Sequence, residues 1–543
     1  MKNNPLLLCF MLALGIFLGM TYDAKEQFIP KFSTRLNSVL DQIEYLYVDT
    51  IDRSALEEIA VEAIVDELDP HSLYFTSDEI KAMSEPMEGG FEGIGVEFII
   101  TNDTLMVVNA LQGGPSEAAG IRGGDRILKV DTLEISGRDL TNSKVMKLLK
   151  GKGGTKVDLT LMRGGSGEIY DVTITRARIP IHSVVASFKV TEDIGYVKVI
   201  RFAATTAYEF ASSMDELVAN GATSIIVDLR GNGGGYLKAA TDMIELFLTE
   251  GLEIVYTEGK SSPKFSYTSQ LDGVFSNMPI TVLIDESSAS ASEIFAGALQ
   301  DNDRGLIIGR RSFGKGLVQE EFDVAIDGAL RLTVARFYTP SGRPIQKPYG
   351  EDINYSSDHS IRIESGELFH QDSIRHADSL TYYTTLGRTV YGGGGITPDV
   401  FIPLDTSSTS RDLAELIWAG AVRDGAFNWG DRNRQFLAGL SSYEELRGSE
   451  IWGDPVNGGL AEMMKEFNEL MGYWPEWEAE EAAIIEERFY FQVIRNFFGE
   501  EAFYKVISTD DEYIERAIFE MKEGSWFGLR EGRLYLLPSN IDK

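Results

Sequence analysis

Residues 279–319 read PITVLIDESSASASEIFAGALQDNDRGLIIGRRSFGKGLVQ. An unbroken apolar run, PITVLI, gives way to small residues, then to a helix-forming segment over 290–301, then to a second apolar run, GLIIG. Short continuous apolar runs separated by a helix are the pattern of parallel strands buried on both faces. The alternation continues outward. IGYVKVI leads to a helix predicted over 206–220, and SIIVDL leads to the turn RGNGGG and a helix over 237–249. Strands and helices alternating over 194–400 predict a layered α/β domain. Within it, FDVAIDGALRLTVARF predicts a hairpin turned at Asp327-Gly328.

The flanks have other textures. Over 89–178, VEFII, LMVVNAL, RILKVD, KVDLTLMR and EIYDVTITR are separated by glycine-rich turns, with one helix over 143–150, which predicts a small β-rich domain. Over 31–68, apolar residues recur at three and four, as one or two amphipathic helices broken near 49–52 and ended before Pro70. From 405 onward the chain reads as helical, acidic and aromatic. WPEWEAEEAAIIEERFYFQVIRNFF puts charges on one face and aromatics on the other. The expected divisions are 1–24, 25–84, 85–178, 179–404 with a polar insertion at 349–389, and a helical acidic domain over 405–543.

The 543 residues suit several domains, and 43% hydrophobic with 25% charged residues excludes wholesale disorder. A net charge of −34 repels phosphate backbones, and no basic patch offsets it, so nucleic-acid binding is not expected. The single cysteine, Cys9, excludes a disulfide framework and a cysteine-based zinc site. Lys2 precedes the uncharged run PLLLCFMLALGIFLGM over residues 5–20. No small-x-small site follows, so an uncleaved membrane anchor is preferred over a cleaved signal peptide, with the bulk of the chain exported to the periplasm or cell envelope.

Small residues at a strand-to-helix junction leave backbone N–H groups open, as an oxyanion requires, and a serine there can serve as nucleophile. Lys315, in a glycine-flanked turn before a strand, can lose its charge through desolvation and act as a serine's base without histidine. On spacing alone, Ser288, Ser290 and Ser292 read first as helix caps and Lys315 as a solvated loop residue. Rival motifs fail. GRRSFGKG over 309–316 lacks the final hydroxyl of a phosphate loop and runs into a strand, and Ser261-Ser262-Pro263-Lys264 has its helix broken by Pro263. The five histidines form no H-E-x-x-H. The turn over 230–235 could donate amides to an anion, whereas Gly392–Gly395 reads as a connection. Gly93-Ile94-Gly95-Val96, just before a strand, can leave N–H groups free for a carboxylate while the strand edge pairs with an extended peptide.

Taken together, FEGIGVEF, PSEAAGIRGGDRIL, VDLRGNGGG, SASASEIFAGALQD, SFGKGLVQ, RFYTPSGRPIQ and GGGGITPDV resemble the C-terminal processing peptidases, or tail-specific proteases, over roughly residues 35–400. The resemblance outweighs the helix-cap reading. It implies an α/β multidomain chain with a crotonase/ClpP-like core, an inserted PDZ domain, N-terminal helices and a helical C-terminal domain. It further implies Ser290 as nucleophile, Lys315 as base, Gln319 as the residue orienting that lysine, and the amides of Ala291 and Gly234 as oxyanion hole. The usual proline of the glycine turn is Gly233 here. Gly93, Ile94, Gly95 and Val96 would hold the substrate's terminal carboxylate. Substrates would be proteins or peptides with free C-termini, no metal or cofactor is called for, and either helical end is a candidate homo-oligomer contact. A non-catalytic PDZ scaffold is the alternative.

Overall fold

The computed structural model describes residues 34–537, apart from 102, 112, 136, 138, 139, 165, 166, 325–327, 351–353, 407–409, 524, 525 and 531. The anchor segment read at 1–24 and Asp327 of the hairpin turn lie outside the described residues. No helix among them is long and apolar enough to cross a membrane. The chain divides into two compact units, one ending at Leu68 and one beginning at Asp69.

The first unit is a helical pair, Thr34–Leu46 and Arg53–Asp66. Asp52 caps the second helix by accepting from Ser54 N and Ala55 N, which is the physical cause of the break read near 49–52.

The second unit is organised by a six-stranded sheet. Val184–Lys189 runs antiparallel to Ile194–Val199, and Ser224–Asp228, Ile280–Ile284, Leu306–Gly309 and Val400–Phe401 then follow in parallel. Helices Thr206–Ala219, Leu237–Glu245 and Ala291–Asp301 make the crossovers. Because each strand lies beside the next in sequence, right-handed crossovers put all three helices on one face. Val197, Val227, Val282 and Ile307 pack with Phe210, Ile244 and Phe295 there. The alternate residues Tyr196, Ile226, Leu283 and Ile308 face the other way and meet Ile514, Ala517, Trp526 and Leu536.

That second face departs from the sequence reading. The segment 405–543 was expected to be one helical domain. Its helices from Arg411 to Ile507 do share an aromatic core around Trp429, Trp452, Phe467 and Phe489. The helix Glu512–Lys522 and a terminal hairpin, Phe527–Arg530 with Arg533–Leu536, instead cover the central sheet. Burial of an otherwise bare apolar sheet face decides this, and it is a long-range effect that local periodicity does not carry. Likewise, the region 25–84 is not all helical. Leu73–Thr76 is a strand paired with Gly328–Tyr338, and the helix Ser77–Met87 follows it.

A second sheet contains Leu73–Thr76, Gly328–Tyr338, Glu253–Glu258, Phe265–Thr268 and Leu317–Val324. The hairpin read from FDVAIDGALRLTVARF pairs Leu317–Val324 with Gly328–Tyr338. Within the second unit, residues 96–175 form a separate antiparallel sheet in the order Val96–Thr101, Thr104–Ala110, Arg126–Val130, Lys156–Met162, Ile169–Thr175, with the helix Asn142–Leu149 packed on it.

Candidate active site

Ligands of open α/β sheets sit beyond the carboxyl ends of the strands. Here three adjacent parallel strands deliver three loops to that edge. Ser224–Asp228 runs into the glycine turn, Ile280–Ile284 into the serine loop, and Leu306–Gly309 into the loop bearing Lys315. The first two loops are laced together. Gly231 N–H donates to both Asp285 carboxylate oxygens at 3.0 Å, Ala289 N–H to Asn232 O at 3.0 Å, and Ser292 Oγ–H to the same oxygen at 2.8 Å.

This lacing separates the three serines. Ser288 and Ser292 are buried, with their hydroxyls given to Leu229 O and Asn232 O. Ser290 is partly open and stands at the N-cap of Ala291–Asp301 with φ 55° and ψ −112°, a backbone region that costs an L-residue about 1–3 kcal/mol.

The residue that organises the site is Glu293, and sequence reasoning passed over it. The residue is 1% exposed. Oε1 accepts from Ser312 Oγ at 2.5 Å and Gly314 N at 2.6 Å, and Oε2 accepts from Ser290 N and Lys315 N, both at 2.8 Å. Two nitrogens each 2.8 Å from one oxygen lie no more than twice that distance apart, so one carboxylate holds the backbones of Ser290 and Lys315 side by side. Burial pushes this carboxyl up to about 7, against the opposite pull of its four donors. The signal was present as S-x-x-E at 290–293, a capping-box pattern.

Lys315 lies partly buried ahead of the strand Leu317–Val324. Burial lowers its pKa, the Arg331 guanidinium adds to the fall, and the Glu293 and Asp69 carboxylates oppose it. Its Nζ donates to Gln319 Oε1 at 3.2 Å, and Gln319 Nε2 donates in turn to His71 O at 2.7 Å. Among the described residues this is the hydrogen bond that Nζ makes; none joins it to Ser290 Oγ. His71, held down at about 4 by burial and by the Lys315 charge, shares a 2.9 Å hydrogen bond with Tyr355 OH of the insertion.

Of the two amides expected in the oxyanion hole, Ala291 N–H donates to nothing among the described residues. Gly234 does lie against it. A Cβ on Gly234 would stand 2.8 Å from Ser290 Cβ and 3.0 Å from Ala291 N, at φ +102°. The Gly234 N–H itself, however, donates to Asn232 Oδ1 at 2.9 Å. Asn232 is anchored through Nδ2 to Val199 O at 2.9 Å, so this amide is engaged in the present arrangement.

In the β-rich domain, Gly93 ends a strand paired with Ala177–Pro180, Ile94 is buried, Gly95 has φ +73°, and Val96 opens the outermost strand of its sheet. Ile94 O accepts from Ser116 N and Oγ, and Gly95 O from Leu111 N. The Ile94 and Gly95 N–H groups have no acceptor among the described residues.

The family model for peptidase family S41 matches residues 193–355, and that for a PDZ domain matches 93–174. The carboxy-terminal-processing protease of Bartonella bacilliformis is 37% identical over 326 residues, covering 59% of this chain and 74% of that protein. The chain belongs to peptidase family S41. It is a serine peptidase of the carboxy-terminal processing type carrying a PDZ domain. The carboxy-terminal processing protease CtpA of Bacillus subtilis is 34% identical over 314 residues, 58% of this chain and 66% of that one. The solved photosystem II D1 C-terminal processing protease is 26% identical, covers 69% of this chain and 88% of its own, and superposes with a TM-score of 0.35. In this S41 peptidase the insertion at 349–389 braces the lysine loop. Arg362 donates to Ser312 O at 3.2 Å, and Glu367 pairs with both Arg362 and Arg311.

Proposed function

We propose that this S41 peptidase is an exported, membrane-tethered endopeptidase that grips a protein's free C-terminus in its PDZ groove and cuts it through a Ser290/Lys315 acyl-enzyme. The observation carrying the reading is the shared carboxylate oxygen of Glu293, which keeps the nucleophile and base candidates adjacent. Neutral Lys315 takes the Ser290 hydroxyl proton as Oγ attacks the scissile carbonyl. The developing oxyanion is received by Ala291 N–H and, once freed from Asn232, by Gly234 N–H. Lys315 then passes its proton to the leaving amine, and it later deprotonates the water that releases the acyl group. Gln319 orients the amine between these roles.

The open strand edge at Val96–Thr101 and the unpaired amides of Ile94 and Gly95 support capture of a carboxylate with strand addition. Sequential parallel strands with crossover helices on one face support a crotonase/ClpP-type core. The apolar run at 5–20 supports the envelope location, and exposed Tyr45 and Leu46 support an oligomer contact at the N-terminal helices.

Incubation of the full chain with a fluorophosphonate should give one adduct, mapped by mass spectrometry to Ser290. Absence of an adduct, or one elsewhere, overturns the nucleophile. A tagged substrate with a free C-terminus should be cut about tenfold faster than its amidated form, and equal rates overturn tail capture.

The base must be uncharged, so kcat/KM should climb as pH rises through the lowered lysine pKa, giving an ascending limb below the usual range near ~10.4. Arg331→Gln removes a positive neighbour and should move that limb to higher pH. Paired pH–rate profiles check this, and an unmoved midpoint excludes Arg331 as a cause.

A further inference from the structure

The S41 match ends at residue 355, yet the C-terminal segment reaches the back of the catalytic loops. Arg230, which opens the glycine turn, is bound by Asp228 on one side, with Nη2 2.7 Å from Oδ2. On its other side stands Asp511, whose Oδ2 is 2.8 Å from the same Nη2. Arg310, which follows the strand Leu306–Gly309, donates through Nε to Glu286 Oε2 of the serine loop at 2.7 Å and through Nη1 to Tyr513 OH. The Tyr513 ring lies against both guanidinium groups, with centroid distances of 4.5 Å to Arg230 and 5.6 Å to Arg310. Both arginines border a cleft of about 1140 Å³. Asp511 also caps the helix Glu512–Lys522, accepting from Tyr513 N at 2.9 Å, so carboxylate and ring are presented by one rigid turn.

We infer that Asp511 and Tyr513 are positioning residues for the peptidase reaction, holding the glycine turn and the serine loop in mutual register through Arg230 and Arg310. The inference rests on the reading of Ser290 and the glycine turn as catalytic. A docked terminal helix is thus part of the working site, although it touches no reacting atom.

The test uses the full chain with Asp511→Asn, which keeps a capping side chain, and Tyr513→Phe, which keeps the ring. Ile514→Ala is the control, since it loosens the same helix on its sheet-facing side. Each of the first two should lower kcat about tenfold with KM within about twofold, and slow fluorophosphonate labelling of Ser290 by the same factor. Asp511→Glu should restore part of the rate. Ile514→Ala should lower Tm while leaving kcat near wild type well below that Tm. Wild-type kcat in Asp511→Asn and Tyr513→Phe, or an equal loss in Ile514→Ala, overturns the inference alone. A wild-type chain that does not label at Ser290 overturns it together with the catalytic reading.

Discussion

Ser290→Ala is expected to leave a folded chain that cleaves a C-terminally tagged protein at least ~10⁴-fold more slowly than the parent. Alanine keeps the N–H that Glu293 Oε2 accepts and loses only the hydroxyl's share of the capping box, so Tm should fall modestly. Lys315→Met keeps the length and apolar packing of the stem while removing the amine, and it should fall by a similar factor. The two groups act as one unit, so the double variant should be no slower than the slower single. Single-turnover kinetics with melting curves read all three forms. Parental turnover in Ser290→Ala, or losses that multiply in the double, would falsify the pairing.

Glu293→Gln should damage both stability and rate. Four donors converge on this buried carboxylate, two on each oxygen, and an amide can accept at only one end. If NH₂ takes the Oε2 position, Ser290 N and Lys315 N lose their acceptor. If it takes the other, Ser312 Oγ and Gly314 N do. Two stranded buried donors cost on the order of 2–5 kcal/mol. Separation of the two backbones should lower kcat by about 10²–10³-fold, since small misplacements of reacting groups are that costly. Because the folded carboxyl is raised to about 7 from a usual 4.5, the folded state holds the proton more tightly. Stability linked to it is therefore full below pH 4.5 and is lost as pH rises through about 7. The parent's Tm should decline across that window relative to Glu293→Gln. Parallel Tm–pH curves would sink this assignment.

The parallel sheet was legible because ITVLI and SIIVD are continuous apolar runs, and the crossover helices because their apolar residues keep helical spacing. Ser290 and Lys315 were legible as motif residues, but spacing alone could not distinguish a nucleophile from a cap. What separates Ser290 from Ser288 and Ser292 is burial imposed by the neighbouring turn, a contact across some 60 positions of chain. Glu293 was passed over, since three of its four donors come from a loop beyond the next strand. The terminal helix and hairpin escaped for the same reason: only the finished sheet presents the face they cover.

Ser290 occupies a backbone state in which glycine would rest more comfortably. Drift governed by foldability alone would therefore favour a smaller residue at this corner. On the proposed reading, a hydroxyl at this corner is carried at the cost of a strained backbone that the surrounding loop bonds must offset.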